Sequence, residues 1–448
     1  MSSVIDRATP GDLMTLASDH GPLPMNIAVA LVLEEGAGLG LPELARALGP
    51  RISAIPRLRQ RLVPMPLGCG RPLWLDDPRF ELARHLSEVK LAAPGNHASL
   101  MEAVASSACG RLDPHRPLWA AHLIGGLQDG RAALVIVMHH VLADGVGGLA
   151  VLAALVDAVE SHRVARHDAA WQDADEQDAA EQDAAEHGAA RWPQPPPSRA
   201  ALAREALGSK ASQLPRLPAA VRAWTGGIRE LGLGAHRPVV APATSLNRPT
   251  GGRRRLTTVS SSRAQVVEAA HRQGCTVNDL VLAAVTGALS TVLQRRGEKP
   301  VELVVSIPVS TRRATTAADL GNHTGILPLR IPVIGKRGDR LAHIAGLTRA
   351  WRSGPRGESA GPMAAGFRLL AALGLFQTFV DHQRFVNTFV TNVRGPEEMV
   401  SFAEHPVLEV IPVAVVPGNV GVAFDVLSYA DQLVITVVAD PDLVPDQA

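Results

Sequence analysis

The composition of residues 161–200 limits the fold of this 448-residue chain more than any other feature. The segment contains an acidic, alanine-rich five-residue unit that recurs as DEQDA, AEQDA and AEHGA, and it continues into PQPPP. A segment of this kind has no apolar face that a core could bury. We therefore predict a low-complexity linker and connecting helix over 161–240, between an N-terminal half at 1–160 and a C-terminal half at 241–448.

Strands and helices alternate on both sides of this linker. Before it, we predict buried strands at MNIAVALVLEE and RAALVIVMHH and an apolar helix at GGLAVLAALVDAVES. After it, we predict a strand at GRRRLTTVSSS, a long helix at TVNDLVLAAVTGALSTVLQRRG and two strands at VGVAFDVLSYADQLVITVVAD. The pattern indicates an α/β fold of two halves, with a seam between them that suits a ligand channel.

Charge and cysteine content exclude several classes of function. A formal net charge of +1 argues against a strongly basic nucleic-acid binder, so we expect no nucleic-acid partner. The three cysteines, Cys69, Cys109 and Cys275, are far apart and odd in number, which predicts neither a disulfide framework nor a metal knuckle. The opening residues MSSVIDRATPGD lack the pattern of a signal peptide. We expect a cytoplasmic protein.

The candidate chemistry lies where the strand RAALVIVMHH ends. His139 and His140 are followed by Asp144, which is placed to cap the next helix, and by glycines that include Gly145. Three interpretations are open from the residues alone. A histidine can act as a general base near neutral pH, the histidines and Asp144 can bind a metal, or the histidines can be hydrogen-bonded core residues. Against the metal, neighbouring residues of a strand point to opposite faces.

The segment HHVLADG resembles the H-H-x-x-x-D-G motif of the acyl-CoA-dependent acyltransferase superfamily. Further segments, in the same order, resemble bacterial wax ester synthase/diacylglycerol acyltransferases over nearly the whole chain outside the linker. They are TPGDLMTLASDHGPLPMNIAVALVLE, RLDPHRPLWAAHLIGGL, TVNDLVLAAVTGAL, SIPVSTRR, LGNHTGILP, FVTNVRGP and DVLSYADQLVITVVAD.

This resemblance implies two chloramphenicol-acetyltransferase-like halves with mixed sheets and a substrate tunnel between them. It implies transfer of a long acyl group from acyl-CoA to a fatty alcohol or diacylglycerol, giving wax ester or triacylglycerol. His140 would be the base, His139 a supporting residue and Asp144 mainly structural. No permanently bound cofactor and no metal are implied.

The resemblance also places the pair Asn278 and Asp279 across the site, on the C-terminal half. Asn278 is a candidate oxyanion donor, and the alternative is that it caps the helix that begins there. The three consecutive arginines Arg253, Arg254 and Arg255 can meet the phosphates of coenzyme A or form a solvated basic edge.

The sequence departs from the family pattern at Asn26, Thr391 and Arg394. These departures keep a second function open, in which the protein acylates a specialised metabolite, or is a stand-alone condensation-type enzyme that takes its acyl group from a carrier protein.

The stretch from Pro362 to Val380 is predicted as an apolar helix that either belongs to the core or docks on lipid. In the second case Phe376 and Phe379 are among the residues expected to insert, and the protein would associate peripherally with the inner membrane or lipid bodies. Arg368 and Gln377 interrupt the stretch, so we do not predict a transmembrane span.

The linker composition generates a first prediction. Deleting residues 168–190 should leave acyl transfer close to that of the unaltered chain, because the repeat has no apolar face to bury. The measurements are soluble yield and release of free coenzyme A. A collapse of soluble expression after the deletion would show that the segment is structural.

Overall fold

The computed structural model describes residues 5–445 apart from residues 20, 35–37, 67–68, 158–191, 214–239, 311–323, 353–365, 368, 372 and 417. Most of the predicted linker, including the recurring five-residue unit, therefore lies outside the described residues. Within the linker range the structure describes a helix at Arg199–Gln213.

Fourteen strands and nine α-helices within the described ranges position the candidate site. The helices are α1 Pro10–Ser18, α2 Leu41–Ala54, α3 His97–Cys109, α4 Gly145–Leu155, α5 Arg199–Gln213, α6 Arg263–Arg272, α7 Val277–Arg295, α8 Arg337–Arg352 and α9 Phe376–His382. The strands are β1 Asn26–Leu33, β2 Gln60–Val63, β3 Leu73–Asp76, β4 Leu86–Lys90, β5 Trp119–Gly125, β6 Ala132–His139, β7 Arg255–Ser262, β8 Glu302–Ser310, β9 Thr324–Pro332, β10 Thr388–Arg394, β11 Ser401–Phe402, β12 His405–Ala414, β13 Val422–Tyr429 and β14 Gln432–Ala439.

The strands form two six-stranded mixed sheets, as predicted, and a small hairpin of β2 and β3. The first sheet has the order β11-β12-β1-β6-β5-β4, in which β4 and β5 are parallel and the other pairs antiparallel. The second has the order β7-β14-β13-β10-β8-β9, in which β10 runs parallel to both β13 and β8. The predicted α/β fold with mixed sheets is confirmed.

The division of the chain in sequence is not the division of the sheets in space. Strands β11 and β12 follow the linker by more than 150 residues, yet they complete the first sheet. Strand β12 pairs with β1 in antiparallel register, with Ala414 opposite Ile27 and Val410 opposite Leu31. The first sheet is therefore built from both ends of the chain, which periodicity alone did not indicate.

Each sheet buries apolar side chains against helices. One face of the first sheet packs on α2 and α4, and the other face packs on α3 through residues such as Val104. The second sheet packs on α7, whose Leu282, Val285 and Leu289 are buried. Within the described residues, α7 is the one helix that is long and apolar enough to cross a bilayer, by length and composition. Half of its apolar stretch is buried inside the protein, as in a core helix.

The single helix predicted from Pro362 to Val380 is wrong in its described part. A turn at Leu373 and Gly374 interrupts it, and Gly374 has a φ of +68°, a backbone conformation that a helix does not contain. Helix α9 begins only at Phe376. Phe376 is 2% exposed and packs on Phe367 and Phe379, so it belongs to a buried aromatic cluster and does not face lipid.

Candidate active site

The adjacent histidines stand at the end of β6, an inner strand of the first sheet. The backbone N–H of His139 donates to the carbonyl oxygen of Leu118 at 2.9 Å, and that of His140 donates to the carbonyl oxygen of Met25 at 2.7 Å. These bonds hold the corner from both sides. The two imidazoles leave it toward different surroundings, as expected for successive residues of a strand.

Asp144 fixes the turn that follows. It is the N-cap of α4, and its Oδ1 accepts a hydrogen bond from the backbone N–H of Gly147 at 2.8 Å. Its carboxylate is fully buried, and its own carbonyl accepts from the N–H of Gly148 at 2.7 Å. The predicted capping role is confirmed, and the cap sets the start of α4 relative to the histidines.

His139 is used to hold the corner together. Its Nδ1 accepts a hydrogen bond from the backbone N–H of Val141 at 3.0 Å, so in the neutral ring the proton is on Nε2. That Nε2 lies 3.3 Å from Oδ2 of Asp19. Burial raises the pKa of the Asp19 carboxyl, but the bond and charge of His139, the N–H of Met25 and the charge of Arg111 outweigh it and leave the pKa below its ordinary value. Sequence analysis missed Asp19, which is separated from His139 by 120 positions.

His140 is the imidazole that faces the candidate reaction space. It is half-buried and lines a cavity of about 160 Å³. Burial lowers the pKa of the imidazole, and the neighbouring His139 lowers it further, while the charge of Asp144 acts in the opposite direction. The net shift is downward, so the neutral ring, which can accept a proton, is the form present at neutral pH.

This cavity, which we call the seam cavity, lies where the two sheets meet. Its wall is mostly apolar and comes from α4 and from β1, β6 and β12 of the first sheet, together with β10 and β13 of the second sheet. The lining residues are Ile27, Ala28, Val29, Met138, His140, Gly145, Gly148, Leu149, Leu152, Thr391, Asn392, Val393, Pro412, Val413, Ala414, Asp425, Val426 and Leu427. A ligand channel is predicted at the seam between two α/β halves, and this cavity lies between the two sheets.

The glycines of the corner let other groups approach it closely. A Cβ at Gly148 would lie 3.1 Å from Cδ1 of Ile27, and a Cβ at Gly145 would lie 3.5 Å from Cγ2 of Val393. Ile27 belongs to β1 and Val393 to β10, so each contact joins α4 to a strand that walls the seam cavity. The Ile27 side chain would have to shift by a few tenths of an ångström to admit a Cβ at Gly148.

Sequence analysis also missed Asp425, the buried carboxyl of the seam cavity. Its Oδ1 accepts from the hydroxyl of Thr391 at 2.8 Å, and its Oδ2 accepts from the backbone N–H of Ala414 at 2.7 Å. Burial raises its pKa to about 6, against the lowering effect of these two bonds. Because Ala414 belongs to the first sheet and Thr391 to the second, Asp425 bridges the two. The available signal was a lone aspartate inside the apolar run VGVAFDVLSY.

The two residues of the predicted pair, Asn278 and Asp279, have different surroundings. Asp279 is buried in a capping box with Thr276, the N-cap of α7, and also accepts from the hydroxyl of Thr348 at 2.7 Å. The alternative that Asn278 caps the helix is therefore wrong. Asn278 is half-buried, and its Oδ1 accepts from Nδ2 of Asn392, a seam-cavity residue, at 3.4 Å. Asn278 thus reaches the cavity through Asn392, whereas Asp279 is directed into the protein.

The three consecutive arginines do not act as one cluster. Arg254 is buried, lies 3.6 Å from Asp440 and donates to the carbonyl oxygen of Val416 at 2.8 Å. Its guanidinium is occupied inside the protein, so it is not available to a phosphate. Arg253 is exposed and pairs with Asp442, and Arg255 is exposed. Contact with coenzyme A stays a prediction for Arg253 and Arg255.

Asn26, a departure from the family pattern, has internal partners. It lies opposite His139 in the pairing of β1 with β6, and its Nδ2 donates to the carbonyl oxygens of Ala108 at 3.0 Å and Gly110 at 2.8 Å. This buried amide ties β1 to the end of α3, close to the histidine corner. Among the described residues, no group of three or more His, Cys, Asp or Glu side chains is arranged to hold a metal ion, and the three cysteines are free.

The sequence matches a known protein family over most of its length. Residues 9–281 match the model of the wax ester synthase/diacylglycerol acyltransferase catalytic domain, and residues 320–448 match that of the WS/DGAT C-terminal domain. The chain is 32% identical over 427 residues to a Mycobacterium tuberculosis protein named diacylglycerol O-acyltransferase tgs1, covering 93% of this chain and 87% of the relative. A Mycobacterium bovis protein, named diacylglycerol O-acyltransferase Mb3154c, has the same identity and coverage.

Two solved structures share the fold. The wax ester synthase/diacylglycerol acyltransferase of Marinobacter aquaeolei VT8 superposes with a TM-score of 0.60 at 21% identity, covering 98% of this chain and 94% of that chain. A variant of the starter condensation domain of rhizomide synthetase RzmA, in complex with C8-CoA, has a TM-score of 0.60 at 14% identity, covering 98% and 90%.

The pKa of Asp425 generates a prediction about stability. Its pKa of about 6 exceeds the ordinary 3.8, so the folded state binds more protons between these values, and stability falls as pH rises from about 4 to 6. Asp425→Asn removes this titration and can keep both hydrogen bonds, accepting from Ala414 and donating to Thr391. The stability of the variant relative to wild type should rise across that window by up to about 3 kcal/mol.

Urea unfolding at several pH values from 4.5 to 7.5 measures this difference. Asp442→Asn, which alters an exposed carboxyl of the same half, is the matched control and should show no such trend. A stability difference for Asp425→Asn that does not change with pH would contradict the assignment.

Proposed function

The chain belongs to the wax ester synthase/diacylglycerol acyltransferase family and is an acyl-CoA-dependent O-acyltransferase, and from this premise we propose that His140 is its general base. One observation carries the proposal: His140 is the imidazole that lines the seam cavity, whereas His139 is engaged with Val141 and Asp19. A neutral, half-buried ring beside a mostly apolar cavity is suited to accept a proton from an alcohol that enters with a long acyl chain.

The reaction follows in two stages. His140 takes the proton of the acceptor hydroxyl as its oxygen attacks the thioester carbonyl, which gives a tetrahedral oxyanion. The C–S bond then breaks, the ester is released, and the thiolate of coenzyme A takes the proton back from the imidazolium. General base catalysis of this kind contributes ~10²–10⁴ in rate.

The oxyanion needs hydrogen-bond donors, each of which lowers the barrier by about 3 kcal/mol. Asn278 is the side-chain candidate, because its Oδ1 accepts from Asn392 and this orients its Nδ2 as a donor. The backbone N–H groups at the glycine-rich start of α4 are the second candidate. Asp144 contributes through position, since it fixes the start of α4, and Gly145 contributes through the space that it leaves.

The substrates are inferred from the relatives. The condensation-domain structure is a complex with C8-CoA, which supports an acyl-CoA as a ligand of this fold. The relatives from Mycobacterium, named diacylglycerol O-acyltransferases, support diacylglycerol as the acceptor, with a fatty alcohol as the second candidate. The test is the purified protein with palmitoyl-CoA and either dioleoylglycerol or hexadecanol, with free coenzyme A measured by a thiol reagent. If free coenzyme A is released with neither dioleoylglycerol nor hexadecanol present as the acceptor substrate, the release is background hydrolysis. If neither acceptor raises the release above that background, the proposal is overturned.

Alanine variants of His140 and His139 distinguish the roles of the two histidines. His140→Ala should lower the rate of acyl transfer ~10²-fold or more with the fold intact, because it removes the base. His139→Ala should lose less activity, since it removes a group that positions the corner. His271→Ala, in exposed helix α6, is the control and should retain full activity. Equal losses for the two adjacent histidines, or a larger loss at His139, would refute the assignment.

The acceptor and product are water-insoluble, so the protein has to meet a lipid surface. We place this surface at the segment before α9, where Leu369, Leu373 and Leu375 are 61%, 60% and 50% exposed. These three leucines, rather than the buried Phe376, are free to insert. We expect peripheral association from the cytoplasmic side with the membrane or lipid bodies.

Insertion by leucine predicts binding that resists salt. The protein should remain bound to vesicles coated with neutral lipid in about 0.5 M salt, where the Debye length is only a few Å. Leu373→Asp combined with Leu375→Asp should release the protein into solution and leave activity on a short soluble alcohol unchanged. Val301→Asp, which alters an 84% exposed apolar side chain elsewhere, is the control and should keep vesicle binding. Vesicle binding by the leucine double variant equal to that of wild type would rule out this surface.

A further inference from the structure

A second and larger cavity, of about 410 Å³, lies at the edge of the first sheet, beside β4, β5 and the C-terminal end of α3. We call it the edge cavity. It shares no lining residue with the seam cavity. Its charged and titratable lining residues are Arg84, His85, Arg111, Asp113, Arg116 and His122. The acyl-transfer mechanism uses none of them.

His85 presents a hydrogen-bond acceptor to this cavity. Its side chain is 5% exposed in the free protein, and Nδ1 lies 2.8 Å from the carbonyl oxygen of Trp119. A carbonyl only accepts, so Nδ1 carries the proton and Nε2 has the lone pair. Stacking on Trp119, with ring centroids 4.5 Å apart, fixes the ring. Within the described chain Nε2 has no hydrogen-bond partner, and it is not sealed from solvent, so it opens to the cavity.

His122 is a second imidazole in the lining of the cavity, and its Nδ1 contacts a hydroxyl, which can donate or accept, so this bond does not fix the tautomer of the ring. Its Nδ1 lies 2.6 Å from Oγ of Ser87, and its Nε2 has no partner among the residues described. Burial lowers the pKa of both imidazoles; at His85 the charge of Arg116 lowers it further, while the bond to Trp119 opposes the shift. Both rings are therefore neutral at physiological pH.

Three guanidinium groups surround these rings and outnumber the one carboxylate of the lining. Arg116 lies 3.3 Å from Asp113, and Arg84 pairs with Glu81 outside the cavity. Arg111 lies 4.0 Å from Asp19, which in turn contacts His139. Each guanidinium is paired with one carboxylate, but a guanidinium has five N–H donors, so Arg111 and Arg116 keep donors for the oxygens of a phosphate or a carboxylate.

The His85 imidazole narrows the choice of anion to those with a hydrogen to donate. A neutral ring whose free nitrogen has a lone pair needs a ligand with a hydrogen to donate. A carboxylate or a sulfate ester has no such hydrogen near neutral pH. A phosphate monoester, whose second pKa is about 6, combines anionic oxygens with a P–OH group for part of the time.

We propose that the edge cavity is a binding site for a phosphate monoester, with Arg116 and Arg111 on its oxygens and Nε2 of His85 as the acceptor for its P–OH. The same chemical group occurs in soluble phosphate esters and in the headgroup of phosphatidic acid. This site is separate from the acyl-transfer site, so the proposal stands apart from the proposed function.

Calorimetry on the full chain at pH 6 and constant ionic strength tests the site with methyl phosphate and methyl sulfate. We expect methyl sulfate to bind at least about tenfold more weakly. Arg116→Gln should lower the binding affinity for both ligands, by about tenfold for methyl phosphate. His85→Asn keeps an N–H for the Trp119 carbonyl and lacks Nε2, so it should lose the preference for phosphate. Arg272→Gln, on α6, is the control for an exposed arginine. Arg111 is left unaltered because it contacts Asp19.

Vesicles of phosphatidylcholine with or without phosphatidic acid identify the source of the phosphate. Capture of wild type, but not of Arg116→Gln, by phosphatidic acid assigns the lipid headgroup; calorimetric binding without capture assigns a soluble ester. Equal affinity for phosphate and sulfate, absence of binding by wild type, or binding unaffected by Arg116→Gln would each overturn the proposal. The comparison of two ligands on wild type decides the matter even if His85→Asn does not fold.

Discussion

The antiparallel pairing of β12 with β1 is the contact on which the rest of the structure depends. Strand β1 lies between β12 and β6, so one strand from the N-terminal half is hydrogen-bonded both to β6, which ends at His139, and to a strand from the C-terminal half. Backbone pairing is directional and sets register, which fixes His139 opposite Asn26 and Ala414 opposite Ile27. The seam cavity lies beside this pairing, and residues of β10 and β13 from the second sheet complete its lining.

Burial at the seam shifts the two titratable groups of the cavity in opposite directions, toward the neutral form of each. The pKa of His140 falls because the imidazolium is desolvated, and the pKa of Asp425 rises to about 6 because the carboxylate is desolvated. A cavity proposed to accept a long acyl chain has to be apolar, and an apolar wall also keeps His140, the proposed base, unprotonated. The same property therefore serves both substrate binding and proton transfer.

The candidate residues form two groups: those whose partners lie inside the fold and those that lie at the cavity. Asp144 and Asp279 cap helices, Arg254 is held by Asp440, and His139 is held by Asp19. These residues keep the corner, α7 and the seam in place. What lies at the cavity itself is His140, with Asn278 connected to it through Asn392. Two residues that depart from the family pattern lie at the seam. Asn26 is opposite His139 in the pairing of β1 with β6, and Thr391 donates a hydrogen bond to Asp425.

The sequence alone determined the features that depend on neighbouring residues. The strand that ends at the adjacent histidines, the Asp144 cap and the hairpin of β13 and β14 follow from periodicity, capping and turn chemistry over short spans. The tertiary structure decided the features that join distant positions. Asp19 reaches His139 across 120 positions, and β12 returns to the first sheet after the linker. The burial of Phe376 depends on partners in three dimensions, and so does the bridge that Asp425 makes between sheets. Local pattern shows which residues are apolar or able to titrate, but burial and partner choice are properties of the packed fold, and these set the pKa values and the free surfaces.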